Sequence, residues 1–306
     1  VKGSGRAAMK KGDSADGFTL AEMLVSMVIF MFLMMALYSI LTQAQWLRFR
    51  NDRRINIQDN ARIALEVMER DFRMIGYGVP TGFQVNGTAR WTPAIFYATD
   101  TAIGFRADID GGSTVLTRSA TSSGGGTDRL YVESPRYYVE RCGNPSWPLV
   151  VVLNRRRWEA VGCTGVLDDG ALLITPGVTD GIFQAAKSEV VTIEQVYYQY
   201  VRDSDYPPFG RLLRQVRTVS LPDDTFPSPG PGGSVLATHV TSLILQYLDA
   251  QGNPLSASPS AELDAAQRAR VARIVITLVT TDRAGPMQAL QSVRLRTEVR
   301  LRNDAM

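Results

Sequence analysis

A single carboxylate, Glu22, stands at the head of nineteen consecutive uncharged residues, Met23 to Leu41. That run is long enough to cross the hydrocarbon core of a bilayer as one helix. A charged group costs about 2.5–3.5 kcal/mol or more at the centre of such a helix, and even at its edge Glu22 asks for a partner. Other candidates for chemistry are few. His239 is the chain's only histidine and has no catalytic signature around it. No serine-nucleophile elbow, phosphate-cradling loop or zinc-protease helix is present, and Gly124-Gly125-Gly126 lacks the Lys-Ser/Thr of a phosphate loop. Asp108 and Asp110, followed by Gly111 and Gly112, begin like a Ca²⁺ loop but lack the third acidic position and the distal Glu, so a plain Asp/Gly turn is expected. Asp203-Ser204-Asp205 reads the same way. Tyr197, Tyr198, Tyr200 and Tyr206, near Arg202 and Arg211, offer either strand packing or a stacking surface for single-stranded DNA. The residues point to no enzyme, no cofactor and no metal.

The segment before the apolar run carries Lys2, Arg6, Lys10 and Lys11, as a signal n-region does, yet no small-residue cleavage site follows the run. The junction itself reads Gly17-Phe18-Thr19-Leu20-Ala21-Glu22. A short basic leader ending in Gly, then Phe-Thr-Leu-x-Glu and about twenty apolar residues, resembles the class III signal of type IV pilins and type II secretion pseudopilins. The resemblance implies cleavage by a prepilin peptidase between Gly17 and Phe18, N-methylation of Phe18, and a role for Glu22 in setting the register between subunits. The physical reasons fit. Gly17 lets a protease approach the backbone closely. The new amine of Phe18 and a neighbour's Glu22 are each costly alone and tolerable as a pair. The alternative for Glu22 is a plain anchor whose carboxylate snorkels to the headgroups. A start at Met9 instead of Val1 would give a shorter leader that keeps two lysines.

Two later stretches narrow the likeness. Thr241–Asn253 followed by Arg270–Val279, and the ending Val293–Asn303, are similar to the closing strands of the PilW family of minor pilins, and J-type pseudopilins share much of them. Many major pilins carry Pro in the membrane segment, where this chain has Ser39, which suits a minor pilin. Export implies an oxidising compartment, where Cys142 and Cys163 are expected to form a disulfide. Arg48, Arg50, Arg53 and Arg54 follow the apolar run and oppose a positive-inside count, so the resemblance rather than charge places the N-terminus in the cytoplasm. A net charge of +3 with 21% charged residues implies no global field for nucleic acid.

The elements that position these residues follow from periodicity. No Pro or Gly interrupts Phe18 to Ile75. A continuous helix there would be about 87 Å long. Ile57, Ala61, Ala64, Met68, Phe72 and Ile75 draw one apolar stripe, for the protein's own sheet or for a neighbouring helix, with Glu66-Arg70 and Glu69-Arg73 on the solvated flanks. Gly76 to Pro80 supply the stop. Strands are expected over Leu130–Glu133, Leu149–Leu153, Glu189–Val201, Leu212–Val219, Thr241–Leu248, Val271–Thr280 and Ser292–Leu301, the last with Arg294, Arg296, Glu298 and Arg300 on a face that is either simply solvated or in touch with an acidic partner or a neighbouring subunit. Loops are expected at Ser119–Thr127 and Pro222–Ser234, and the Gly-rich loop is a place where the head could split into two lobes.

The expected fold is α+β: a long N-terminal helix, transmembrane in its first half, packed on a C-terminal antiparallel β-sheet head. The divisions are a leader 1–17, a membrane helix 18–46, its soluble continuation 47–78 and a head 79–306. The expected role is that of a minor pilin that primes assembly and forms the tip of a type IV pilus. Its partners would be the prepilin peptidase, other minor and major pilins and the inner-membrane assembly platform. It would sit first in the inner membrane as a single pass and then at the pilus tip. A J-type pseudopilin is the neighbouring reading; a tip adhesin or DNA-binding module, acting through the head, is the reading of another class.

Overall fold

The computed structural model describes residues 19–79, 94–121, 128–142, 147–154, 157–175, 177–178, 182–205, 207–218, 220–221, 233–255, 261–282 and 291–301. Contacts divide the chain into two compact units, residues 1–53 and 54–306. Helix α1, Leu20–Arg73, begins in the first and ends in the second. The loop expected at Ser119–Thr127 lies partly, and that at Pro222–Ser234 mostly, outside the described residues.

In the first unit α1 turns its apolar side chains outward. Leu24, Val28, Phe32, Met35 and Ile40 are all more than half exposed, and the helix is long and apolar enough to cross a membrane. Two of its hydroxyls are satisfied within the helix. The Ser26 hydroxyl donates to the Glu22 carbonyl, and that of Thr42 to the carbonyls of Tyr38 and Ser39, both at 2.9 Å. Hydrocarbon offers no other partner for such groups. The helix runs through Ser39 without a break.

In the second unit the expected stripe is buried. Ala61, Ala64, Met68 and Phe72 have no exposed surface, and Ile57 is half-buried. They pack on the protein's own sheet, with Phe72 edge-on to Phe105 (5.7 Å between ring centres) and to Tyr198 (5.4 Å). Beside them lies a charge that the stripe leaves out. Asp71 is 1% exposed, and its Oδ2 accepts from the Tyr198 hydroxyl at 2.6 Å and from Arg214 Nε at 2.8 Å. Burial, then the nearby Asp71 carboxylate, pushes the Tyr198 hydroxyl well above its ordinary value. Glu69 pairs with Arg73 as expected, whereas Arg70 turns to Asp71 rather than Glu66, with Nη2 3.2 Å from Oδ1. The helix stops where Gly76 takes φ +80, a left-handed conformation that other residues resist, and its N–H donates to the Arg106 carbonyl at 3.0 Å.

The sheet under the helix has seven antiparallel strands in the order β1 (Ile95–Ala98), β2 (Ala102–Ala107), β11 (Glu194–Arg202), β12 (Gly210–Thr218), β14 (Ser234–Leu248), β15 (Arg273–Asp282) and β16 (Gln291–Arg300). In β16 the alternation holds: Val299 is buried, Val293 and Leu295 are half-buried, and Arg294, Arg296, Glu298 and Arg300 are exposed.

A second set of strands forms its own core. The order is β3 (Thr114–Val115), β10 (Glu189–Thr192), β6 (Trp147–Asn154), β7 (Arg157–Val166), β8 (Ala171–Thr175) and β5 (Asp128–Tyr131). A Leu116–Val132 bridge, with Thr117 N–H to the Tyr131 carbonyl at 2.8 Å, joins the last strand to the first and closes a ring. Short strands β4 (Ala120–Thr121) and β9 (Ile182–Phe183) pair with each other, and β13 (Ser220–Leu221) adds to β6. Leu130, Val161, Leu172, Ile174 and Val190 fill the ring, and helix α2 (Arg136–Val139) contributes Tyr138. Helix α3 (Ala265–Ala269) lies beside β1.

Two expectations need correction. The stretch Glu189–Val201 is not one strand: it is cut at Ile193, with β10 in the ring and β11 in the sheet. Both faces are buried there, so no polar alternation marks the change. The head does hold two cores, but the Gly-rich loop does not divide them. The ring is inserted between β2 and β11, which are neighbours in the sheet, so the boundaries fall near residues 108 and 193.

Candidate processing and assembly site

The site expected to matter most lies at the start of α1. Gly17 and Phe18 lie outside the described residues. From Thr19 onward the geometry is that of a capping box. The Thr19 backbone N–H and its hydroxyl both donate to Glu22 Oε2 at 3.0 Å, and the Glu22 N–H donates back to Thr19 Oγ1 at 3.3 Å. Glu22 therefore closes the first turn of its own helix and does not project as a bare carboxylate. Its oxygens also lie where the positive end of the helix dipole favours negative charge. Thr19, in the sequence only one member of the junction, is the residue that caps this turn. The signal was there, since Thr-x-x-Glu ahead of an apolar run is a helix-start pattern.

Residues 14–38 match the prokaryotic N-terminal methylation motif.

The matched segment brackets Gly17, Phe18, Thr19 and Glu22 and includes the first part of the exposed apolar face. The motif supports a type IV pilin-like protein with a class III signal, a structural protein rather than a member of an enzyme family. It implies processing by a prepilin peptidase and assembly with other pilins, and together with the apolar helix it supports anchoring in a membrane through the N-terminus. No curated protein and no solved structure gives a match.

The remaining candidates fall in the head. Cys142 and Cys163 are joined by a disulfide, tying the turn after α2 to β7. Asp108 and Asp110 lie where the chain leaves the sheet for the ring. Asp108 is fully buried and its Oδ1 accepts the Gly112 N–H at 3.2 Å; Asp110 pairs with Arg141. Among the described residues, no three His, Cys, Asp or Glu side chains are grouped to hold a metal ion.

Arg141 bridges the two strands that enter and leave the ring. Besides Asp110 it meets Glu194 Oε1 at 2.9 Å and lies over the Tyr137 ring at 4.3 Å. Glu194 also accepts the Ile109 N–H at 3.0 Å and the Thr192 hydroxyl at 3.2 Å. Burial pushes the Glu194 carboxyl up to about 7, and Asp110 and Asp108 add to the rise against the pull of Ile109 N–H and Arg141. Burial likewise raises Asp108 above the usual carboxylate range. Under this cluster Tyr138 donates to the carbonyls of Gly112 (2.6 Å) and Val190 (2.9 Å), and a side chain at Gly112 would run into the Tyr137 ring.

The tyrosine group does not form an open stacking surface. Tyr197 is 6% exposed and packs edge-on to Phe96, Tyr198 is in the core, and the half-buried Tyr200 donates to the Thr241 carbonyl; Tyr206 lies outside the described residues. His239 is exposed on β14 beside Phe209. Asp203 Oδ1 accepts the Asp205 N–H at 3.0 Å, a local turn.

Proposed function

We propose that this chain is a minor pilin of the PilW type that primes assembly and forms the tip of a type IV pilus. In this reading the leader 1–17 is removed at Gly17-Phe18, Phe18 is methylated, and residues 18–46 hold the protein in the inner membrane with the leader in the cytoplasm. The head then stands at the pilus tip. The observation that carries the reading is the methylation motif at 14–38, whose Glu22 heads a long exposed apolar helix.

The capping box gives the assembly step a physical form. While the subunit is alone in the membrane, Thr19 supplies two donors to Glu22, which lowers the cost of the carboxylate there. In the filament the cationic amine of a neighbour's Phe18 offers a stronger, charge-assisted partner. Glu22 then exchanges a contact within its own helix for one between subunits.

Intact-mass and N-terminal peptide analysis of the membrane-extracted protein, from cells with and without the prepilin peptidase, tests this. A chain beginning at methylated Phe18 only when the peptidase is present is expected. An uncut chain, or a cut elsewhere, would sink the reading.

A further inference from the structure

The two edges of the seven-stranded sheet differ. β1 is four residues long and its outer side is met by the 261–264 segment, whose Leu263 N–H donates to the Ala98 carbonyl at 3.0 Å, and by α3. β16 ends the other side. Its ten residues pair with β15 without a bulge, from Arg273 opposite Arg300 to Asp282 opposite Gln291. Among the described residues nothing hydrogen-bonds to its far side. An edge of this length is a template for another strand.

The exposed face of β16 states what that strand would carry. Arg294, Arg296 and Arg300 share it with Glu298, and Glu298 is already met by Arg273 at 3.5 Å. Among the described residues, no carboxylate lies within ion-pair distance of the other three. Alternate residues of one strand lie about 6.8 Å apart. A strand with acidic residues at every second position therefore sets a carboxylate opposite each of these guanidinium groups and one opposite Glu298, whose charge Arg273 offsets. A second β16 is a poor occupant, because two copies bring six arginines to one seam against two glutamates, and like charges facing across a ladder destabilise it.

We propose that the outer edge of β16 is a strand-addition site for an extended segment of another protein whose exposed face carries alternating acidic residues. The ladder supplies affinity and the arginine row supplies selectivity. This goes beyond the filament reading and stands or falls without it.

The test uses the full chain in detergent micelles, hydrogen exchange read by mass spectrometry, and an end-blocked decapeptide of alternating Glu and Val. At about ten times its Kd the peptide is expected to slow exchange in residues 291–300 roughly tenfold, with β1 unchanged. A peptide of the same composition with its glutamates clustered gives no such protection. The variant Arg294→Glu/Arg296→Glu/Arg300→Glu loses the effect while β15 keeps its own protection, which shows that the sheet is intact. Absent protection, equal protection by the clustered peptide, or protection that survives in the variant overturns the proposal. So does protection that rises with protein concentration alone, which would make a second copy the occupant.

Discussion

Up to Arg53, the hydroxyls of Ser26 and Thr42 and the carboxylate of Glu22 find their partners within α1, whereas beyond it Asp71 reaches across to the sheet, although Glu69 and Arg73 still pair along the helix. Ser26 and Thr42 bond to carbonyls one turn back, and Glu22 to the cap at Thr19. Asp71 reaches Tyr198 and Arg214, more than a hundred residues away in sequence. Apolar side chains divide in a related way, exposed in the first stretch and buried along one stripe in the second. One continuous helix is thus written for two solvents. A residue's polar neighbours within a turn are enough for lipid, while an interior built by distant strands demands partners placed by the whole fold.

The sharpest way to break this contrast is Asp71→Ala. It leaves Arg214 and Tyr198 facing an empty place in a buried site, and a stability loss of about 3–5 kcal/mol is expected. Urea unfolding of the detergent-solubilised chain, followed by near-ultraviolet circular dichroism, would read it; a loss under 1 kcal/mol would mean that the buried contact is not needed. Removing the disulfide by Cys142→Ser with Cys163→Ser should cost about 3 kcal/mol, since it closes a loop with a sequence separation of 21. The same unfolding curve measures this, and its effect should concentrate in the ring.

Glu194 gives a pH dependence confined to the head. With the carboxyl held up to about 7 when folded and near 4.5 when unfolded, the folded state keeps a proton that the unfolded chain has released. Stability therefore falls as pH rises from 4.5 to 7, by on the order of 3 kcal/mol, and levels above that. Asp108 adds in the same direction. Glu194→Gln should flatten most of this slope; an unchanged slope would assign it elsewhere. The smallest effect belongs to the lipid-facing end. Thr19→Val removes the cap at a cost of about 1 kcal/mol, confined to the first turn. Faster hydrogen exchange at Leu20 to Met23 with an unchanged head would fit, and a shift in head unfolding would not.

Local patterns were legible and long-range ones were not. The apolar run, the stripe from Ala61 to Phe72, the stop at Gly76 and the alternation of β16 each follow from residues within a few turns, and the structure has them all. The strand β2 was missed because Ala102–Ala107 is buried on both faces and carries Gly104 and Arg106, so it shows no alternation. β7 was hidden by Gly162 and Gly165. At the expected site Glu22 was plain, but the hydrogen bonds that tie it to Thr19 needed the turn to be built. The buried pairings of Asp71 and Glu194 leave no local trace, since their partners Arg214 and Arg141 come from remote parts of the chain.

The insertion of the ring carries a consequence for how such a head can change. The chain departs the sheet at Ala107 and returns at Glu194, and these two residues sit directly opposite each other as a ladder pair. From the sheet's side the whole ring is attached like the loop of a hairpin. A tight turn joining those positions would leave every strand neighbour in the sheet as it is. Sequence between the two attachment points can therefore lengthen, shrink or be exchanged without displacing a strand neighbour in the sheet, provided that the contacts of Arg141, Ile109 and Thr192 with the buried Glu194 are kept or replaced, which makes the ring the natural place for variation and the practical place for a graft.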